Sequence, residues 1–202
     1  MKVELADITQ YAETKIEIYT RECYDSLNKM TEDSHKQFLP NIIKRGHLSA
    51  LSFAYATFHI SDVSRAFLAQ MTRHAHLRYL VRSQRYNKED SINFIMPSVF
   101  DIEDQSFFAE CQQKIIAWYR KLNLKYKNED SRMILSNAHK TSMNVTGNLQ
   151  AWYSFLRLRL GKHAQLEIRN VAKEIYKILN KECPNIFTKE LLEYQPKIDL
   201  DI

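Results

Sequence analysis

The sequence predicts a single α+β domain in which several long helices surround a small mixed or antiparallel sheet. Three observations carry that expectation. Only three glycines and four prolines occur among 202 residues, too few for the tight turns of an all-β or loop-rich chain. Long stretches place apolar residues at helical spacing. Short aromatic and β-branched runs between them read as strands. No repeat, low-complexity segment or linker composition divides the chain, so residues 1–202 read as one domain.

Taken in order, Lys2 to Ala6 alternate as a short strand does. Ile8 to Asn28 follow a helical pattern, with Tyr11, Ile16, Ile18, Tyr19 and Cys23 apolar. Thr31-Glu32-Asp33-Ser34 starts a second helix carrying Phe38, Leu39, Ile42 and Ile43, and Gly46 suits its end. Phe53 to Ile60 reads as a strand. Ser61-Asp62 offers an N-cap for a helix from Val63 to about His74, which places Gln70 and Arg73 on one face. Leu77 to Tyr86 reads as extended, with Ser83 and Arg85 pointing the same way. Asn93 to Pro97 reads as a second short strand. Helices follow from about Asp101 to Lys125, from Glu129 to Ala138 and from Asn148 to Arg159, where Trp152 and Phe155 read as core. Ala164, Ile168, Val171, Ile175 and Ile178 mark a last amphipathic helix before a less regular tail.

Composition narrows the function classes. The net charge of +5 favours anionic partners without indicating a nucleic-acid polymer. Cys23, Cys111 and Cys183 are odd in number and lack metal-type spacing, so free thiols in a reducing compartment are expected, with no metal. No apolar run reaches membrane-span length and no signal peptide is evident, which makes the cytoplasm the expected location.

The chemistry concentrates in Arg73-His74-Ala75-His76-Leu77-Arg78-Tyr79-Leu80-Val81-Arg82-Ser83-Gln84-Arg85-Tyr86. This segment holds four arginines, two histidines and no acid. Folded positive charge at that density repels itself unless an anion neutralises it. Guanidinium groups beside a hydroxyl are suitable donors for a phosphate dianion. A pocket for a phosphorylated small molecule is one reading and a solvated basic face is the other. Tyr79 and Tyr86 would also permit stacking on a polynucleotide, although no recognition motif accompanies them.

At this point the chain resembles the flavin-dependent thymidylate synthases. That family's signature is Arg-His-Arg, seven residues, then Ser; Arg73-His74-Ala75 and Ser83 match it except at the third place. Gly46-His47-x-Ser49, Val63-Ser64-Arg65-Ala66, Gln70-x-x-Arg73-His74, Ser83-x-Arg85-Tyr86 and Phe94-x-x-Pro97 match in order. So do Arg132-Met133-Ile134-Leu135, Asn148 through Leu156-x-Leu158-Arg159, and His163-Ala164-Gln165-x-Glu167-Ile168.

The resemblance implies a thymidylate synthase-complementing-protein-like fold and a homotetramer with sites shared between subunits. It implies FAD as cofactor, NADPH and methylenetetrahydrofolate as co-substrates, and methylation of dUMP at C5 to give dTMP. It assigns Gln70, Arg73, Ser83, Gln84, Arg85, Arg132 and Arg159 to the nucleotide, with Arg132 reaching in from another subunit. Arg159 approaches the pyrimidine as the catalytic cation. It assigns His47, Arg73, His74, His76 and Asn148 to the cofactor, and leaves His163, Gln165 and Glu167 to packing.

The sequence departs from the pattern where flavin contacts are expected. Ala75 replaces an arginine, Val81 a glutamate, Leu80 a polar residue, Arg78 a serine and Gln150 an arginine. Two alternatives follow: a divergent relative with another pyrimidine nucleotide or one-carbon unit, and a nucleotide-binding protein with a weakened flavin site. What separates a working enzyme from the nucleotide-binding alternative is whether another basic side chain stands in for the missing third arginine.

Overall fold

The computed structural model describes residues 1–89, 91 and 93–194. The architecture is α+β. Strand β1 (Lys2–Ile8) precedes helix α1 (Ala12–Glu22). Helix α2 (His35–Lys44) ends where Gly46 adopts φ +83°, a left-handed conformation open to glycine. The Gly46 and His47 N–H groups then bond the Ile43 and Ile42 carbonyls, both at 2.9 Å. A 3-10 turn (Leu48–Phe53) leads into β2 (Tyr55–Ser64) and α3 (Arg65–Met71). Strand β3 (Arg78–Val81), α4 (Ile102–Asn123) and α5 (Asn128–Ser131) follow. After a 3-10 turn (Arg132–Ile134) come β4 (Lys140–Asn148), α6 (Leu149–Arg159), α7 (Leu166–Glu182) and α8 (Lys189–Glu193). The strands form one antiparallel sheet in the order β1-β2-β4-β3.

Five elements differ from the sequence expectation. The helix expected from Glu129 to Ala138 is reduced to α5 (Asn128–Ser131) and the 3-10 turn Arg132–Ile134. The helix expected from Val63 starts at Arg65, because β2 continues through Ser64 with Asp62 at φ 56°. Ser64, not Ser61 or Asp62, caps α3, its Oγ accepting from the Phe67 N–H at 3.0 Å. The extended reading of Leu77 to Tyr86 holds only for Arg78–Val81. Beyond it the Ser83 Oγ accepts from the Arg85 N–H at 3.2 Å and Asn87 Nδ2 donates to the Ser83 carbonyl at 2.7 Å. These local bonds fold a turn where continued pairing was expected, so Ser83 and Arg85 do not share a strand face. Asn93 to Pro97 forms only an isolated bridge, Phe94 to His139. Strand β4 occupies residues to which no element was assigned. The last residues of the tail, 195–202, lie outside those described.

The chain divides into two compact units. The first contains Met1–Lys2, His59–Arg73 and Tyr79–Asn144. Its buried residues include Ile60, Val63, Phe67, Met71, Ile116 and Tyr119. The second contains Val3–Phe58, His74–Arg78 and the described part of Val145–Ile202. Its core is built on Trp152, which is fully buried, donates Nε1–H to the Ala56 carbonyl at 3.0 Å and meets Phe58 and Phe155 edge to face. In this unit Gly147 makes room for the turn carrying His74 to Arg78: a Cβ there would stand 2.4 Å from Leu77 Cδ2, and Leu77 is itself buried. The expected core positions Trp152 and Phe155 are buried as predicted, and Cys23, Cys111 and Cys183 are free thiols. Among the described residues no helix is long and apolar enough to cross a membrane.

Candidate functional site

In the first unit, three elements wall a cavity of about 470 Å³. Helix α3 contributes Arg65, Leu68 and Ala69, and its C-cap Thr72; the end of β3 and its turn contribute Val81, Arg82, Ser83 and Gln84; the 3-10 turn contributes Arg132. Ser83, Gln84 and Arg132 are thus brought together within one chain. Arg65 and Arg82 are cavity residues that the sequence reading did not single out. Arg65 lies inside a matched block, Val63-Ser64-Arg65-Ala66, and Arg82 directly precedes Ser83; both signals were available.

The charges at this cavity are partly compensated. The Arg82 guanidinium donates to the Glu89 carboxylate. Arg85 Nε pairs with Glu129 Oε2 at 2.5 Å, and Arg132 Nε donates to the Glu129 carbonyl at 3.1 Å. The basic segment therefore finds counter-charges at Glu89 and Glu129, outside itself, so an anionic ligand is not its only neutraliser. Arg65 differs. Its guanidinium makes no hydrogen bond or ion pair with a described residue, and burial holds its pKa below the usual guanidinium value, against the pull of Glu89 and with the push of Arg132 and Arg82. Arg65 and Arg132, neither of which forms an ion pair with a described residue, line this cavity together with Ser83. That arrangement suits a dianion. Gln70 lies on α3 and Arg73 in the exposed turn after it, and neither lines the cavity. Arg85, tied to Glu129, does not line it either.

In the second unit Arg159, at the end of α6, donates Nε–H to His74 Nε2 at 2.9 Å. An imidazole accepting at Nε2 is neutral and carries its hydrogen on Nδ1. Phe155 packs edge-on against the same ring at 4.9 Å. Burial first, then the Arg159 charge, push the His74 pKa from 6.5 down to about 4. The geometry joins the expected catalytic cation to the motif histidine. His76 is exposed in the same turn. Arg78 Nη1 donates to the Ala75 carbonyl at 2.7 Å and to the Leu77 carbonyl at 3.3 Å, so a guanidinium is held against the backbone of Ala75, which stands in the third motif place. Asn148 caps α6, its Oδ1 accepting from the Ala151 N–H at 2.8 Å. His47 lines a separate aromatic cavity of about 770 Å³ with Tyr19, Tyr24 and Phe53. Gln165 caps α7, consistent with the packing role expected of it.

The His74 environment gives a measurable outcome. In a ¹⁵N–¹H NMR titration the His74 ring is expected to protonate near pH 4. Arg159→Gln should raise that value but leave it below 6.5, since burial is the larger cause. Between pH 6.5 and about 4 the unfolded chain binds a proton that the folded chain refuses, so His74 makes stability fall as pH drops through this window. A ring titrating at the ordinary value would contradict the buried pair.

Comparison with known proteins identifies the family. Residues 4–185 match the family described as thymidylate synthase complementing protein. A flavin-dependent thymidylate synthase of Mycobacteroides abscessus is 30% identical over 192 residues, spanning 85% of this chain and 77% of that protein. One from Mycobacterium tuberculosis is 31% identical over 192 residues with the same spans, 85% and 77%. A crystal structure of thymidylate synthase X from Helicobacter pylori, with FAD and dUMP, superposes with a TM-score of 0.81 at 19% identity, over 96% of this chain and 100% of that one; at that identity the likeness speaks for the fold. A continuous match over residues 4–185 places the chain in the thymidylate synthase complementing protein family.

Proposed function

We propose that this chain is a flavin-dependent thymidylate synthase, a methyltransferase that converts dUMP to dTMP. The carbon comes from methylenetetrahydrofolate, C5 of the uracil loses a proton, and NADPH supplies the two electrons that reduce the transferred methylene to methyl. The observation that carries the reading is the cavity in which Ser83, Gln84 and Arg132 converge with Arg65 and Arg82, in a chain of this family.

Each residue then has a task. The Ser83 hydroxyl and the Arg132 and Arg65 guanidinium groups bind the nucleotide phosphate, with Gln84 lining the same cavity and Gln70, Arg73 and Arg85 joining in the assembled site. Arg159 places a cation where negative charge develops on a pyrimidine carbonyl oxygen. Neutral His74 holds Arg159 by accepting its Nε–H. Bound FAD supplies hydride chemistry, linking NADPH oxidation to the nucleotide. The donors in the His74 to Arg78 turn fit such a phosphate-bearing cofactor, because exposed His76 and the braced Arg78 offer N–H groups to an anion. Arg73, His74, His76, His47 and Asn148 complete the proposed cofactor set. The Arg78 position is the feature that favours a working flavin site over a weakened one.

A homotetramer in the cytoplasm completes the proposal. The outward face of α4 supports self-association, since Phe107, Trp118 and Leu122 are exposed along one helix. The free thiols suit a reducing compartment. The test is direct. Purified protein with FAD should show the flavin absorption bands and should form dTMP from dUMP only when methylenetetrahydrofolate and NADPH are both present. Protein that binds no flavin even with dUMP present would end this reading.

A further inference from the structure

We propose that Glu89 is a positioning residue for the phosphate-binding turn, acting through the interior of the first unit without touching the nucleotide. The inference rests on reading the Ser83 cavity as the nucleotide-phosphate site. Glu89 is 4% exposed and does not line that cavity. Its carboxylate accepts from the Arg82 guanidinium on one oxygen and pairs with His139 Nε2 on the other at 3.0 Å. Its N–H donates to the Tyr119 hydroxyl at 3.1 Å. Burial alone would push the carboxyl pKa up; the hydrogen bonds and charges of His139 and Arg82 outweigh burial and leave it below the ordinary value. The group is therefore an anion inside the unit, held by three partners.

Those partners connect the walls of the cavity. Arg82 immediately precedes Ser83, so the Arg82–Glu89 ion pair closes a short loop around Ser83, Gln84 and Arg85. Within that loop Asn87 holds the Ser83 carbonyl. Tyr119 belongs to α4, which gives the loop a rigid anchor. His139 bonds Glu89 with its ring, while its carbonyl accepts the Arg65 N–H at 3.1 Å. One buried carboxylate thus ties the turn bearing Ser83 to the helix start bearing Arg65. It also pairs with Arg82, while Arg65 and Arg132, the other two cationic residues lining the cavity, form no ion pair with a described residue. A residue that fixes donors for a phosphate distant from the reacting carbon should affect ground-state and transition-state binding alike.

The test uses the full-length protein with bound flavin and two variants. Glu89→Gln removes the charge, and Tyr119→Phe keeps the packing while removing only the acceptor of the Glu89 N–H. Each is expected to raise the KM for dUMP, Glu89→Gln by about tenfold. The kcat at saturating dUMP and the KM for NADPH should stay near those of the unaltered protein, a split that a general loss of structure would not give. An unchanged dUMP KM in Tyr119→Phe, or in folded Glu89→Gln, overturns the inference. So does a fall in kcat with no change in KM. If the unaltered protein neither binds nor turns over dUMP, the functional reading fails and this inference fails with it. If it does and the variants match it, only the role of Glu89 is lost.

Discussion

Arg132→Gln is expected to raise the KM for dUMP by roughly ten- to hundredfold, the equivalent of losing one charged hydrogen-bonding partner worth about 1.5–3 kcal/mol. Glutamine keeps most of the reach but neither the charge nor the planar fork that meets two phosphate oxygens at once. Arg132 is exposed, and its recorded tie to the protein is one bond from Nε to the Glu129 carbonyl. The substitution should therefore leave the unfolding temperature almost unchanged. Arg85→Gln provides the contrast. Arg85 already spends Nε on the Glu129 carboxylate and does not line the cavity, so its removal should cost less. Steady-state rates with dUMP varied, together with thermal unfolding of the same preparations, decide the matter. An unchanged KM in Arg132→Gln would take Arg132 out of the phosphate site.

Trp152→Ala is expected to destabilise the protein by about 3–5 kcal/mol, the range for emptying a large aromatic site in a packed core. Trp152 is fully buried, between rings of Phe58 at 5.0 Å and Phe155 at 5.7 Å. Its loss also strands the Ala56 carbonyl, which receives the indole N–H. Against a total stability of about 5–15 kcal/mol such a change is a large fraction. Trp152→Phe should cost much less, since most of the ring volume remains. Urea unfolding should show the midpoint falling with the slope retained. The effect should also reach the candidate site, because Phe155 packs against His74. In Trp152→Ala the His74 titration should move from about 4 back towards 6.5 as water gains access. A midpoint equal to that of the unaltered protein would mean that the core is not built on this residue.

The helices were legible because their apolar positions repeat without competition. Ile168, Val171 and Ile175, three of the positions expected to repeat, are buried along α7, although Leu179 and not Ile178 continues the stripe. The start of α3 was not legible, because Ser61, Asp62 and Ser64 are all good caps and only the pairing of β2 decides among them. Strand β4 was hidden for another reason. Its inward positions are Thr141, Met143, Val145 and Gly147, only two of them strongly apolar, so the alternation carries little signal. Of the candidate site, the residue types were plain and their partners were not. Nothing in the linear order says that Arg82 and Arg85 are answered by Glu89 and Glu129, nor that Arg65 forms no ion pair with a described residue.

By itself the sequence determined the secondary-structure class, the buried aromatic core and the family whose motif it carries, because these depend on residue types repeated or ordered along one chain. The tertiary structure alone decided which charges are cancelled, which cations face open space, and that His74 stays neutral against Arg159. Electrostatic compensation depends on distances between groups far apart in sequence, and only folding sets those distances.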